Sequence, residues 1–104
     1  MLYLNDYSNV EFVPLKGFES TYEIMTEYPF NIRNIETHNI HLGIVSSRDG
    51  ILINLNGKVY RKHRIIAQHF FDDFTPRKCV YHKNGNKKDN HLSNLTYHLS
   101  EVDA

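Results

Sequence analysis

The sequence is poor in several residues and features that would narrow its class: among 104 residues there are one cysteine, three prolines and no tryptophan. With Cys79 alone, these residues form no disulfide among themselves, which is typical of a reducing compartment. No apolar run approaches the ~18 residues that a membrane span needs, and residues 1–6 lack the basic and apolar regions of a signal peptide. We therefore expect an intracellular protein, cytoplasmic or nuclear, with no membrane partner.

The sequence also lacks a net charge, because 12 basic and 12 acidic side chains balance. The balance hides an asymmetry: residues 1–57 carry three basic and seven acidic side chains, whereas residues 58–104 carry nine basic and five acidic ones. All nine lie between Lys58 and Lys88, where only Asp72 and Asp73 oppose them. Such a segment is typical of a surface that faces a polyanion. A solvated basic face of a small soluble domain explains the charges equally well, so charge alone leaves both interpretations open.

No repeat, low-complexity tract or Gly/Ser-rich linker interrupts the chain, and 40% of its residues are apolar, so we expect a single domain over residues 1–104. Short alternating segments before residue 57 predict strands, one of them over His41–Val45. The clearest turn is Asn56-Gly57, between Ile51–Leu55 and Lys58–Arg61, because Asn-Gly tolerates the two positive φ angles of a type I′ turn. Residues 10–57 are therefore predicted to form a small antiparallel β-meander.

The pattern changes near His63. The segment 64–71 has no glycine or proline and spaces Ile66 and Phe70 one helical turn apart, which predicts a short helix that ends before Thr75-Pro76. Residues 78–82 and 94–98 then predict two strands around a polar loop, with Cys79 a small buried residue on the first of them. The predicted fold class is α+β: a β-meander, a short helix and a β-loop-β element.

Residues 62–97 contain a series of motifs with fixed spacing. Lys62-His63-Arg64-Ile65-Ile66-Ala67-Gln68-His69-Phe70 is followed by His82-Lys83-Asn84-Gly85-Asn86, by Asn90 and by Asn94-Leu95-Thr96-Tyr97. This series resembles the core of HNH (ββα-metal) endonucleases of the phage and intron-homing type, which runs H-R-h-h-A-x-x-F, H-x-x-G-N, N-N and N-L-x-W, where h is apolar. Residues 58–104 are thus expected to be HNH-like. Earlier in the chain, Phe12-Val13-Pro14-Leu15-Lys16-Gly17-Phe18-Glu19 is followed by Tyr22-Glu23-Ile24 and by Arg33. Through these residues, residues 10–57 resemble the NUMOD4 module that often precedes such a core.

The resemblance implies roles for particular residues. His82 would be the general base that activates water, and Asn94 would orient it through a hydrogen bond. A histidine can take a proton near neutral pH only if a partner fixes its tautomer and its ring. Basic side chains would hold phosphates, and DNA is favoured over RNA as the partner. The candidate phosphate ligands are Lys62, Arg64, Arg77, Lys78, Lys83, Lys87 and Lys88.

The metal half of the motif departs from the family pattern. The resemblance implies a divalent cation, Mg²⁺ or Mn²⁺, bound by an acidic residue just before the base and by a residue on a last helix. Tyr81 stands at the first position and is a poor ligand for a hard cation. The second position falls near Asp103, on a last helix expected to begin near Ser100-Glu101 and to be truncated after about one turn.

These observations predict an HNH-like nucleic-acid-binding protein with weak or lost nuclease activity and with no cofactor unless it cleaves. One alternative is an active, divalent-metal-dependent nicking endonuclease that uses Asp103 or another ligand. A second is a non-catalytic protein-interaction or assembly module, which would bind a partner or itself through the acidic first half. A zinc site is a further, weaker alternative, drawn from Cys79, His82, His91 and His98.

Overall fold

The computed structural model describes residues 10–103, which form two antiparallel sheets, one α-helix and a small β-hairpin-like element. The first sheet contains four short strands in sequence order: β1 (Phe12–Pro14), β2 (Tyr22–Met25), β3 (Ile32–Asn34) and β4 (Ile40–His41). The second contains three: β5 (Ile44–Ser46), β6 (Gly50–Leu55) and β7 (Lys58–Arg61). Helix α1 (Lys62–Phe70) follows directly, and β8 (Tyr81–His82) later pairs with β9 (Leu95–Thr96). The predicted α+β class is confirmed.

The predicted meander is divided into these two sheets at Gly43. The sequence predicted one continuous strand over His41–Val45, but the strand breaks at Leu42-Gly43. Gly43 has a φ of +86°, and a Cβ there would lie 2.6 Å from the carbonyl oxygen of Leu52. The chain therefore turns sharply where only glycine fits, and β5 leaves the first sheet to pair with β6.

The hairpin between β6 and β7 has the predicted turn. Asn56 and Gly57 have φ angles of 55° and 84°, as a type I′ turn requires, and Leu55 pairs with Lys58 across it. The Oδ1 atom of Asn54 accepts a hydrogen bond from the backbone N–H of Gly57 at 3.1 Å, which reinforces the turn. The predicted boundary between residues 57 and 58 lies inside this hairpin.

The core lies between helix α1 and the two sheets. Six large apolar side chains are fully buried: Leu15, Ile24, Ile32, Ile53, Leu55 and Ile66. The helix buries Ile65, Ile66 and Ala67 and packs against β6 and β7. Because α1 continues β7 without a linker, this packing holds the end of β7 and the first turn of α1 in one orientation.

The strands of the last element are shorter than predicted. Residues 75–78 form a turn, in which the N–H of Lys78 donates to Thr75 O, and the Arg64 guanidinium binds the carbonyls of Pro76 and Lys78. Within the predicted strand, the Arg64 side chain thus binds the carbonyl of Lys78, and Cys79 is exposed rather than buried. After β9 the chain makes one 3₁₀ turn, Leu99–Glu101, and the N–H of Asp103 donates to Lys83 O at 2.7 Å. Within residues 10–103, no helix has the length and apolarity required to cross a membrane.

Candidate functional site

His82 lies at the end of β8, and one residue fixes its ring. The side chain is 6% exposed, and its Nε2 atom lies 2.7 Å from the Oδ1 atom of Asn90, which is 3% exposed. An amide oxygen only accepts hydrogen bonds, so Nε2 carries the proton and Nδ1 holds the lone pair. His82 is therefore held in the tautomer that can accept a proton at Nδ1.

The hydrogen bonds of Asn94 differ from the one that was predicted. The predicted hydrogen bond from Asn94 to His82 is absent, and both N–H donors of the Asn94 amide are used within the loop between β8 and β9. Its Nδ2 atom donates to Asn84 Oδ1 and to Asp89 O, and its Oδ1 atom accepts from the N–H of Asn84. Asn90, four residues earlier, makes the hydrogen bond to the His82 ring that was predicted for Asn94. The hydrogen bonds of Asn94 instead stabilise the loop that contains Asn90.

The loop between β8 and β9 is built by asparagine side chains that bind nearby backbone groups. Asn84 Oδ1 accepts from the N–H of Asn86, and Asn86 Oδ1 accepts from the N–H of Lys88. Asn84 also donates to Asp89 Oδ2 at 2.9 Å, and Gly85 adopts a φ of +74°. Such side-chain turns are a common use of asparagine. Here they fix the geometry of a polar loop that has little apolar burial.

His63, in the first turn of α1, packs beside His82. Their ring centroids are 4.6 Å apart, and His63 is 8% exposed. Its Nδ1 atom is buried without a hydrogen-bond partner among the described residues. Burial, followed by the nearby His82 and the cations Arg61, Arg64 and Lys87, lowers the pKa of His63 to about 4. His63 is therefore neutral at physiological pH.

The two histidines line one cavity of about 410 Å³ whose other polar groups are mainly basic. Arg48 comes from the turn between β5 and β6, Arg61 from the end of β7, and Lys87 from the loop after β8. Asp49 also lines the cavity, and its carboxylate lies 3.1 Å from the Arg61 guanidinium. The cavity thus combines two histidines with an excess of positively charged side chains, and both halves of the chain contribute to it.

Sequence reasoning missed Arg48, Asp49 and Arg61 as site residues. Arg48-Asp49-Gly50 has residue types that are typical of a turn, but nothing local in the sequence indicates that this turn packs against the loop after β8. Gly50 was the one available sign: its φ is +81°, and a Cβ would lie 2.5 Å from Lys87 O. A glycine beside a turn often marks close approach of another backbone segment.

Two predicted phosphate ligands have structural roles instead. Lys62 is 4% exposed, its Nζ atom donates to Pro29 O at 3.3 Å, and burial lowers its pKa to about 8. The Arg64 guanidinium donates to Lys78 O at 2.8 Å and lies over the Phe74 ring. Lys62 is thus too buried to contact a phosphate, and the Arg64 guanidinium is hydrogen-bonded to backbone carbonyls.

The other predicted ligands are distributed over the surface. The ammonium of Lys78 lies 3.3 Å from Asp73 and over the ring of Tyr97. Lys87 lines the cavity, whereas Lys83 is half-buried and Arg77 and Lys88 are exposed outside the cavity lining. Of the seven predicted phosphate ligands, the structure therefore brings only Lys87 to the cavity beside His82.

The residues near His82 do not fit a metal centre built from several side chains. Tyr81 lines the cavity, and Asp103 is exposed. No three His, Cys, Asp or Glu side chains between residues 10 and 103 group closely enough to hold a metal ion. The zinc alternative is wrong for the same reason: His82 binds Asn90, whereas His91 stacks on Tyr28 and contacts Asp89. No chemical step is therefore assigned to a metal.

The comparison with known proteins agrees with this architecture. The DNA endonuclease I-HmuI of Bacillus phage SP01 is 29% identical over 98 residues, which cover 91% of this chain and 56% of that protein. A solved structure, described as DNA binding and cleavage by the HNH homing endonuclease I-HmuI, matches with a TM-score of 0.62 at 28% identity. This chain is similar in sequence and fold to an HNH homing endonuclease. The structural match covers 82% of this chain and 50% of the other.

The HNH likeness has a defined extent. The chain spans about half the length of the relatives it matches. No family model matches the sequence. The NUMOD4 resemblance of residues 10–57, the catalytic role of His82 and the metal-ligand role of Asp103 therefore stay predictions.

Proposed function

We propose that this chain is an HNH-like DNA-binding protein that holds the DNA backbone against the cavity beside His82. The single observation that carries the proposal is the composition of that cavity: a histidine fixed by Asn90 lies among cations drawn from three elements of the fold. Phosphate contacts from basic side chains supply most of the sequence-independent affinity for nucleic acid. The name of the phage relative, a DNA endonuclease, favours DNA over RNA.

We further propose that cleavage by this chain is weak or lost. His82 Nδ1 could take a proton from an attacking water, and the cations could stabilise charge on the phosphate. Cleavage also requires stabilisation of the leaving oxygen, which a divalent metal supplies in HNH enzymes. Tyr81 and the exposed Asp103 supply no group of ligands for it. The residues therefore support binding more fully than they support catalysis.

An active nicking endonuclease is the second candidate, and one observation favours it. The hydrogen bond between His82 and Asn90 keeps the base in the tautomer needed for proton transfer. In this case Mg²⁺ or Mn²⁺ would be required, with ligands supplied by the bound DNA, by solvent or by Asp103.

The test measures binding and cleavage on the same preparation. Duplex DNA should bind with an affinity that falls steeply between about 50 and 200 mM salt, and an RNA duplex should bind more weakly. Plasmid nicking is assayed with Mg²⁺ and with Mn²⁺ for the parent, for His82→Ala and for His98→Ala. His98 is exposed and outside the cavity, so it serves as the matched control.

Each outcome distinguishes the candidates. Salt-dependent binding without nicking supports the proposal. Nicking that is lost in His82→Ala and kept in His98→Ala supports the active enzyme. Failure to bind DNA or RNA at low salt rejects both, and favours a protein-interaction role through the acidic first half.

A further inference from the structure

Arg48 presents a free cation to the cavity. It lies in the turn between β5 and β6 and is exposed. Among the described residues, no group forms a hydrogen bond or ion pair with its guanidinium; its recorded contacts are made by its backbone N–H, which donates to Ser46 Oγ, and its carbonyl oxygen. A guanidinium offers five N–H donors in a fixed fork that matches two phosphate oxygens.

Lys87 also lines the cavity and is linked to the same turn. Its Nζ atom donates to Arg48 O at 2.7 Å, which uses one of three ammonium donors and leaves two. The close approach of Gly50 to Lys87 O brings the two backbones together as well. The turn and the loop after β8 therefore hold the Arg48 backbone and the Lys87 ammonium next to each other at the cavity.

The charges of the cavity leave these two cations uncompensated. Arg61 is paired with Asp49 at 3.1 Å, so these two side chains cancel. His63 contributes no charge at neutral pH. The remaining positive charges of Arg48 and Lys87 would attract a phosphodiester, which carries one negative charge.

The His63 side of the cavity contains an unsatisfied polar group. His63 lines this cavity, is 8% exposed, and has a buried Nδ1 atom with no partner among the residues described. Buried polar atoms in native proteins nearly always have a partner, and an ordered water or ion is one of the ways in which such an atom is satisfied.

We infer that the turn between β5 and β6 is half of a phosphate-binding site, in which Arg48 and Lys87 hold one backbone phosphate of DNA beside His63. The inference rests on the proposed function and extends it, because it assigns a DNA contact to the first half of the chain. The Arg48 fork binds two phosphate oxygens, and the ammonium of Lys87 contacts the same phosphate.

The test compares Arg48→Ala and Lys87→Ala with Lys58→Ala. Lys58 is exposed at the opposite end of the β6–β7 hairpin, so its removal changes the net charge equally without touching the cavity. Each cavity variant should weaken DNA binding about tenfold at low salt and reduce the slope of log K against log salt by about 0.9. Lys58→Ala should change neither quantity appreciably, and Arg48→Lys should recover the slope but only part of the affinity.

A second arm uses inorganic phosphate and NMR, so that it does not depend on DNA binding. Phosphate should shift the Arg48 side-chain and His63 ring resonances of the parent and leave the His63 ring resonances of Arg48→Ala/Lys87→Ala unmoved. If phosphate shifts these signals but no DNA binds, the site stands and the proposed function fails. If DNA binds and Arg48→Ala behaves like Lys58→Ala, or if phosphate shifts neither signal, the inference is overturned.

Discussion

Asn90, and not Asn94, makes the hydrogen bond to the His82 ring, and this difference gives the sharpest test of the site geometry. In the parent, the Nε2–H tautomer of His82 should predominate, because Nε2 donates to Asn90 Oδ1 at 2.7 Å. Asn90→Ala removes this acceptor. A net hydrogen-bond contribution of about 1 kcal/mol corresponds to roughly a fivefold change in the ratio of the two tautomers. Long-range ¹H–¹⁵N NMR of the histidine rings measures that ratio directly.

The same substitution at Asn94 should act on stability instead. Its side chain makes three hydrogen bonds within the loop, at 3.0, 3.0 and 2.8 Å, so Asn94→Ala should lower the free energy of unfolding by about 3 kcal/mol. Urea denaturation measures this loss. Ser93→Ala, at an exposed neighbour in the same turn, is the control and should change stability by less than about 0.5 kcal/mol. A parent His82 with its proton on Nδ1, or an Asn94→Ala protein as stable as the control, would refute the assignment.

Three further predictions follow from buried or strained positions. Burial lowers the pKa of Lys62 to about 8 from 10.5, so between these pH values the unfolded chain binds more protons than the folded one. The free energy of unfolding should therefore rise with pH by up to about 3 kcal/mol. Urea denaturation from pH 7 to 10 measures this rise, and Lys62→Met should abolish it. Arg64→Ala should cost about 1–3 kcal/mol in thermal denaturation, because it removes two charged hydrogen bonds to backbone carbonyls, one part-buried and one exposed. Arg64→Lys should not restore the loss. Gly50→Ala should separate the turn from Lys87 O and weaken DNA binding without changing the charge, as a salt titration beside the parent would reveal; unchanged affinity would contradict the docking.

The sequence correctly predicted the elements whose conformation depends on residues that are close together in the chain. Asn56-Gly57 adopts the type I′ turn that its residue types favour, and α1 ends before Pro76 as expected. The position of His82 at a strand end beside a polar loop also followed from sequence spacing. In each case, the deciding interactions lie within a few residues.

The contacts of individual side chains depend on tertiary packing, and the sequence could not specify them. Lys62 reads as a surface cation in a basic segment, yet the first turn of α1 faces the interior and buries it. Asn90 and Asn94 both follow His82 at plausible distances, and only the loop conformation decides which amide reaches the ring. Arg48 reaches the cavity because the second sheet turns its hairpin end toward the loop after β8.

The β6–β7 hairpin has a consequence for engineering. Leu52 pairs with Arg61 and Leu55 with Lys58, so the two strands form a continuous ladder. Separating the two halves of the chain at residues 57–58 would therefore remove the partner strand of β7. A fragment beginning at Lys58 would keep His82 but lose Arg48 and the strand that supports β7. Exchange of the first half between homologous proteins should therefore place its junction before β5, at the break beside Gly43, so that the whole second sheet travels with the helix and the histidine.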